Sequence, residues 1–372
     1  MTRDDGASMQ LDWLQSLRDP AAVQGWSLAQ WERVIRLARR LRLLGRLASV
    51  VQAPELLMHV PPEAARHLRA ELRYAAWRSG ALAWALERLP AMLGDVPYPL
   101  VLLKGAAYMG QDLPIGRGRL PSDVDILVPR EHLADAQARL LRAGWEETPL
   151  DDHDQRYYRE WGHELPPMRH PLHGLELDLH HNILPPVART HVDAALLLAR
   201  LQPSRWPAWQ VLCPVDQVLH SAAHLFHDSE LRDRLRDLVD LDGLLRHFGA
   251  APGFWDELAE RAFTLGLQES LALALHFCTR WLATPVPPAV ARGVVARGLP
   301  RWKAAWLLPL FKTVLWPTDP DRLPSRRQAL AAQALLVRHH LGRMPLTLLL
   351  PHLWHKMRTR PVSDPAAPAA GV

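Results

Sequence analysis

The sequence predicts an α+β fold in which a small mixed β-sheet is flanked by an N-terminal and a C-terminal helical region. Apolar residues recur at three- and four-residue steps before residue 96 and again after Pro214, as they do along one face of a helix. Between these regions the apolar runs are short, which is typical of strands. At 372 residues the chain also exceeds the size of one usual core, so several packed units are expected.

The first region, 1–95, is expected to be helical. Its clearest element is the segment "EAARHLRAELRYAAWRSGALAWALERLPAML", in which the apolar residues keep the helical period. Pro61 and Pro62 come directly before it, and proline is well tolerated in the first turn of a helix. We therefore predict a long helix that begins at this pair.

The middle region, 96–205, carries the sheet. Strands are predicted for the short apolar runs "YPLVLL", "DVDILV" and "LELDLHHNI", and a fourth for "GWEET". A helix is predicted between them, over "REHLADAQARLLRAG", with Gly144 closing it. This alternation of strands and a helix is typical of α/β or α+β domains.

The third region, 206–358, is predicted to be helical because the helical period returns at Pro214 and continues to about His355. The last residues, 359–372, are rich in proline and alanine and are predicted to be disordered.

Composition narrows the classes of function. The formal net charge of +5 suits an anionic ligand, but the basic residues are spread along the chain, so nucleic acid is not implied. Cys213 and Cys278 are far apart, which argues against a disulfide framework or a thiolate zinc site. No apolar stretch of about 18 residues is present, so a membrane span is not expected. We expect a cytoplasmic protein.

Lys104 is unusual in this chain, which has four lysines among its 44 Lys and Arg residues. It ends an apolar run and is followed by Gly105, as at a turn from a strand into a helix. Backbone N–H groups at such a turn and a lysine ammonium can both bind phosphate oxygens. Arg117 and Arg119, in the loop "IGRGRLPSD", are candidates to bind the same phosphates.

Asp123 and Asp125 form the second candidate feature. In a strand they point to one face, while Val124, Ile126 and Val128 point to the other. A solvated edge strand also shows this alternation. The neighbouring lysine turn favours a site for a cation such as Mg²⁺, because adjacent carboxylates repel each other unless a cation lies between them.

A third carboxylate would complete a two-metal site. Glu176, Asp178 and His180 share one face of a later predicted strand. The alternation alone does not choose between Glu176 and Asp178.

These residues resemble the nucleotidyltransferases of the DNA polymerase β type, and specifically a bacterial family of uncharacterised nucleotidyltransferases. The positions that match the family pattern are Lys104, Gly105, Arg119, Asp123, Asp125, Asp178 and His180. The match favours Asp178 over Glu176. A later segment with a His-x-x-x-His pair is also similar, and Arg236 and Asp240 follow the pair there. The resemblance covers about residues 96–250.

The resemblance implies Mg²⁺-dependent transfer, with Mn²⁺ as a possible substitute, of a nucleoside monophosphate from an NTP to a hydroxyl or phosphate oxygen. ATP is the expected NTP, and a small molecule or peptide is favoured over nucleic acid as acceptor. The implied catalytic residues and metal ligands are Asp123, Asp125 and Asp178. The implied nucleotide-binding residues are Lys104, Gly105, Arg119 and His180. The alternatives are a toxin-like enzyme that modifies tRNA or protein, and a non-catalytic nucleotide-binding module.

Other polar residues carry weaker signals. His220 and His224 are four residues apart on a predicted helix, as in half of a zinc site, but no third ligand follows at a recognisable spacing. A structural or substrate-contacting role is favoured for them. His180 and His181 are candidates to contact a base or the acceptor. Two tryptophan-containing helices near the C-terminus resemble interfacial helices, although burial against the body is favoured.

Overall fold

The computed structural model of the chain describes Leu14 and residues 16–17, 19–171 and 174–359. These residues form one mixed sheet with helices before and after it in the sequence, which confirms the predicted α+β class. The tail predicted to be disordered, 359–372, lies outside the described residues except for Thr359, which ends the last helix.

From residue 26 to the first strand, the described residues form four α-helices. They are α1 (Leu28–Arg40), α2 (Leu44–Val51), α3 (Pro54–Leu57) and α4 (Pro62–Leu93). Ser27 caps α1 through a reciprocal pair of hydrogen bonds with Gln30. The long helix predicted after the two prolines is confirmed as α4, and it packs against α1 and α2.

The sheet has seven strands among the described residues. They are β1 (Val101–Leu102), β2 (Val124–Leu127), β3 (Glu146–Glu147), β4 (Met168–Arg169), β5 (Glu176–His180), β6 (Leu201–Pro203) and β7 (Gln210–Leu212). Their order is β3-β4-β5-β2-β1-β7-β6. The pairs β2 with β5 and β1 with β7 are parallel, and the other pairs are antiparallel. Strand β7 follows the predicted end of the middle region at residue 205, yet it pairs with β1.

Short helices connect the strands. They are α5 (Lys104–Gly110), α6 (Leu133–Arg142), α7 (Asp152–Arg156) and α8 (Ala194–Leu198). Helix α5 packs on β1 and β2, and α6 packs on β5 and α4. All four residues of β2 are buried, because this strand lies between β1 and β5 and is covered by helices. A carboxylate on β2 is therefore removed from water and must find a partner.

Between Pro214 and Thr359, eight helices follow the sheet. They are α9 (Pro214–His227), α10 (Leu235–Phe248), α11 (Phe254–Thr264), α12 (Gln268–Leu282), α13 (Pro288–Gly298), α14 (Arg301–Leu315), α15 (Arg326–Arg343) and α16 (Leu346–Thr359). Helix α9 lies at their centre and contacts α10, α11, α12 and α15. Among the helices described, none combines the length and apolar character that a bilayer span requires.

The tryptophan-containing helix α14 is only half covered. It buries Leu307 and Phe311, and the Phe311 ring meets Phe226 of α9 edge to face at 5.1 Å. Trp302 and Trp306 remain exposed on its other side. Burial against the body, which the sequence favoured for this segment, therefore holds for one face of the helix.

Candidate active site

Lys104 stands at the turn where β1 ends and α5 begins. Its φ of 45° lies in the left-handed region, which non-glycine residues seldom adopt. The Leu103 N–H donates to the Asp125 carbonyl at 3.0 Å and holds the turn against β2. The Lys104 Nζ donates to Asp125 Oδ1 at 2.7 Å. The turn thus brings an ammonium group onto a carboxylate that is 2% exposed.

Asp125 and Asp178 are direct neighbours on the parallel strands β2 and β5. Side chains of paired residues project to the same face of a sheet, so the two carboxylates lie side by side. Ligand atoms of Asp125, Asp178 and His180 lie within 4.8 Å of one another. Glu176 is instead exposed and pairs with Arg169 of β4. The strand register thus places Asp178, rather than Glu176, beside Asp125.

His180 lies between two carboxylates. Its Nε2 donates to Asp125 Oδ1 at 3.0 Å, and its Nδ1 is 3.3 Å from Glu164 Oε2 without hydrogen-bond geometry. Burial lowers the pKa of the imidazole, but the hydrogen bond to Asp125 and the charge of Glu164 outweigh it and raise the pKa above its ordinary value. His180 therefore links Asp125 to Glu164.

Nearby positive charge compensates the carboxylate of Asp125 more fully than that of Asp178. Burial acts to raise the pKa of Asp125, but the Lys104 ammonium and the His180 hydrogen bond hold it well below its usual range. Burial, Asp125 and Glu164 together raise the pKa of Asp178 to about 7. Asp178 is thus a carboxylate without sufficient counter-charge, and an added cation would lower its pKa.

The residues present fit a divalent cation. Carboxylate oxygens are the ligands that Mg²⁺ and Mn²⁺ prefer, and Asp125 and Asp178 offer them within reach of one ion. Among the described residues, the groups with ligand atoms this close are that of Asp125, Asp178 and His180, and that of His163, Glu164 and His180.

Asp123 lies directly before β2 and is not part of either group of ligand atoms. The Ser122 hydroxyl donates to its Oδ1 at 2.7 Å. Its charge nevertheless contributes to the raised pKa values of Lys104 and Asp178. The structure therefore places Asp123 near the other two aspartates, but not within the same cluster of atoms.

Arg119 and Gly105 are in contact with each other. The Arg119 Nε donates to Asp240 Oδ2 of α10 at 2.9 Å, and both side chains are largely buried. A Cβ atom at Gly105 would overlap the Arg119 guanidinium. Asp240 raises the pKa of Arg119 despite its burial. Both residues thus link the lysine turn to α10.

In the same loop as Arg117, Gly118 has a φ of 71° and packs directly on the α2 backbone.

A family model described as an uncharacterised nucleotidyltransferase matches residues 27–283. The chain belongs to this family. The match includes α1 to α12 and the whole sheet, so it extends further in both directions than the 96–250 expected from the motifs. Neither the curated proteins nor the solved structures contain a match to the chain. Membership supports nucleotidyl transfer as the activity and a nucleotide as a substrate.

This nucleotidyltransferase also has a site residue that the sequence did not indicate. Glu164 follows the π-helical turn Tyr157–Trp161. Its backbone forms an isolated antiparallel β-bridge with His180 of β5. The next residue continues this contact, because the Leu165 N–H donates to the Leu179 carbonyl at 2.9 Å. No strand pattern surrounds Glu164 in the sequence. The one available signal was its position beside His163, a second possible ligand.

His220 and His224 are buried on α9, and burial favours the neutral form of both imidazoles. Burial, with a smaller contribution from Lys104, lowers the pKa of His220 well below its ordinary value and that of His224 to about 4. Neither belongs to a group of possible metal ligands among the described residues. The His181 Nε2 donates to the Gly162 carbonyl at 3.1 Å. A structural or substrate-contacting role for His220 and His224 stays a prediction.

Proposed function

We propose that the chain is a Mg²⁺-dependent nucleotidyltransferase that transfers a nucleoside monophosphate from an NTP, foremost ATP, to a hydroxyl or phosphate oxygen of an acceptor. The observation that carries this proposal is the pairing of Asp125 and Asp178 on adjacent parallel strands, with Asp178 short of counter-charge. Such a pair suits a divalent cation bound to phosphate oxygens.

In the reaction that we propose, the acceptor oxygen bonds to the α-phosphorus of the NTP while the bond to pyrophosphate breaks. The acceptor's proton passes to a carboxylate of the site. Asp125 and Asp178 would hold the cations with Asp123, and bound Mg²⁺ supplies charge neutralisation and lowers the pKa of the acceptor. Lys104 binds phosphate oxygens from the start of α5. The hydrogen bond from His180 keeps the Asp125 carboxylate in its orientation, and the negative charge of Glu164 lies beside the other nitrogen of the imidazole.

The test is transfer of label from each α-labelled NTP, with Mg²⁺ or Mn²⁺, to the components of a lysate of the source cell. Asp125→Asn and Asp178→Asn should each lower transfer at least about 100-fold, because they remove charge that stabilises the transition state. Glu176→Gln is the matched control: it removes a carboxylate from the same strand at an exposed position and should keep near-full activity.

The alternatives predict different outcomes of the same experiment. Label on tRNA or protein would indicate the toxin-like enzyme. NTP binding without release of pyrophosphate, whatever the acceptor, would indicate the non-catalytic binding module. If the wild-type protein neither binds an NTP nor transfers label, the proposed function is wrong.

A further inference from the structure

A cavity of about 180 Å³ lies beside Lys104. Its walls come from α9, from α15 and from the segments on either side of β5. The polar lining includes Lys104, His163, Glu164, His224, Asp228 and Arg343. The cavity is smaller than the pockets of roughly 300–1,000 Å³ that hold whole drug-sized ligands. It therefore suits a compact part of a ligand.

The charged groups of the cavity favour an anion. Arg343 and Lys104, which is also paired with Asp125, supply positive charge from different walls. Of the two carboxylates in the lining, Asp228 is paired with Arg234 at 2.7 Å and Glu164 faces His180 at 3.3 Å. The two acids are thus engaged with other groups.

The histidines of the cavity add neutral hydrogen-bonding groups. His163, His224 and His227 have lowered pKa values, chiefly because burial disfavours their charged form. The N–H of His339 already donates to the His227 carbonyl at 2.6 Å. A neutral imidazole carries one N–H donor that can bind an oxyanion. The His163 Nδ1 is buried without a hydrogen-bond partner among the described residues.

Arg343 is positioned for a ligand at the end of α15. Its guanidinium lies over the Tyr157 ring at 5.4 Å, and the adjacent Gly342 carbonyl accepts from the Arg189 N–H at 2.9 Å. The Arg343 Nε is buried and none of the described residues accepts its proton. A buried donor left unpaired is unfavourable, and an oxyanion in the cavity would accept its hydrogen bond.

We propose that this cavity binds the β- and γ-phosphates of the NTP, with Arg343 and Lys104 as its two cationic groups. The proposal rests on the proposed function, because it assigns a place to the triphosphate of the same reaction. Arg343 lies beyond residue 283, where the family match ends. Helix α15 thus adds a substrate-binding residue to the part of the chain that the family shares.

The test measures binding of inorganic pyrophosphate, ATP and adenosine to the full chain by calorimetry in the presence of Mg²⁺. Arg343→Gln should weaken pyrophosphate and ATP binding about 10- to 100-fold, as expected for the loss of a charge-assisted contact, and leave adenosine binding unchanged. Arg343→Lys should show an intermediate loss, because an ammonium does not reproduce a planar, forked donor. Arg327→Gln, at an exposed arginine of the same helix, should bind all three like the wild type.

The outcomes separate this inference from the proposed function. Wild-type protein that binds neither pyrophosphate nor any NTP, and transfers no label, would refute the proposed function itself. Wild-type protein that binds both, with unchanged pyrophosphate affinity in either Arg343 variant, would overturn the inference alone. The near-UV circular dichroism spectrum of each variant checks that it is folded. If Arg343→Gln does not fold, the pyrophosphate affinity of Arg343→Lys decides the outcome.

Discussion

Lys104 and Asp125 form a buried ion pair, with Nζ 2.7 Å from Oδ1 and the two side chains 19% and 3% exposed. The pair joins the end of β1 to the middle of β2. Asp125 also accepts a hydrogen bond from His180 on the same oxygen. The lysine therefore already provides Asp125 with part of the positive charge that a bound cation would supply.

Lys104→Met should destabilise the metal-free protein by about 3 kcal/mol, because it leaves the buried charge of Asp125 without its strongest counter-charge. Urea unfolding in the presence of a chelator measures this loss. Asp125→Asn in the same chain should recover part of it. Lys303→Met is the control: Lys303 pairs with the partly exposed Glu269, so its loss should cost under about 1 kcal/mol. Equal stability of Lys104→Met and wild type would show that Asp125 does not depend on Lys104 for its counter-charge.

Asp178→Asn should stabilise the metal-free protein by about 1–3 kcal/mol at pH 8. The folded-state pKa of Asp178 is raised to about 7, above the ordinary value of 3.8, so its ionised form is disfavoured by folding. The destabilisation is present above pH 7 and is relieved as the pH falls through 7. Unfolding of both proteins at pH 8 and pH 5 measures this, and the difference between them should shrink at pH 5. A constant difference would argue against a raised pKa.

Gly105→Ala should destabilise the protein by about 1–3 kcal/mol, because its methyl group would displace Arg119 from Asp240. The same change should cost less in an Arg119→Met background, where the overlap is removed. Thermal unfolding of the two single variants and the double variant measures the coupling. Gly116→Ala is the control, because Gly116 lies in the loop that carries Arg119 and has open space where the methyl group would be. Additive effects of Gly105→Ala and Arg119→Met would show that the two side chains are independent.

His339→Gln should reduce the loss of stability at acidic pH. Burial lowers the folded-state pKa of His339 to about 4, below the ordinary value of 6.5. Between these values the unfolded chain binds more protons, so this residue destabilises the fold as the pH falls from 7 to 4. The variant should gain about 1–3 kcal/mol relative to wild type over that range. Its Gln can still donate to the His227 carbonyl, which His339 contacts at 2.6 Å. Parallel pH profiles of the two proteins would exclude this effect.

Much of the fold follows from local signals in the sequence. The helical period and the two prolines predicted α4, and the return of that period at Pro214 predicted α9. The turn at Lys104 and the strand that follows it were also predicted, because a glycine and a short apolar run determine the backbone conformation of the few residues around them. These features depend on neighbours in the chain, so the sequence alone shows them.

The site itself required contacts between distant parts of the chain. Strand alternation left Glu176 and Asp178 equivalent on one face, and the parallel register of β2 with β5 decided between them. The ion pair of Arg119 with Asp240 joins residues 121 positions apart, and no local pattern carries such a pairing.

The sequence by itself determined the α+β class, the lysine turn and the acidic strands, because periodicity and turn residues encode local structure. Only the tertiary structure decided that Glu164 meets His180 and that Arg343 lines the cavity beside Lys104. These groups come together through strand pairing and helix packing, whose partners are chosen by burial of the whole core and not by the spacing of residues along the chain.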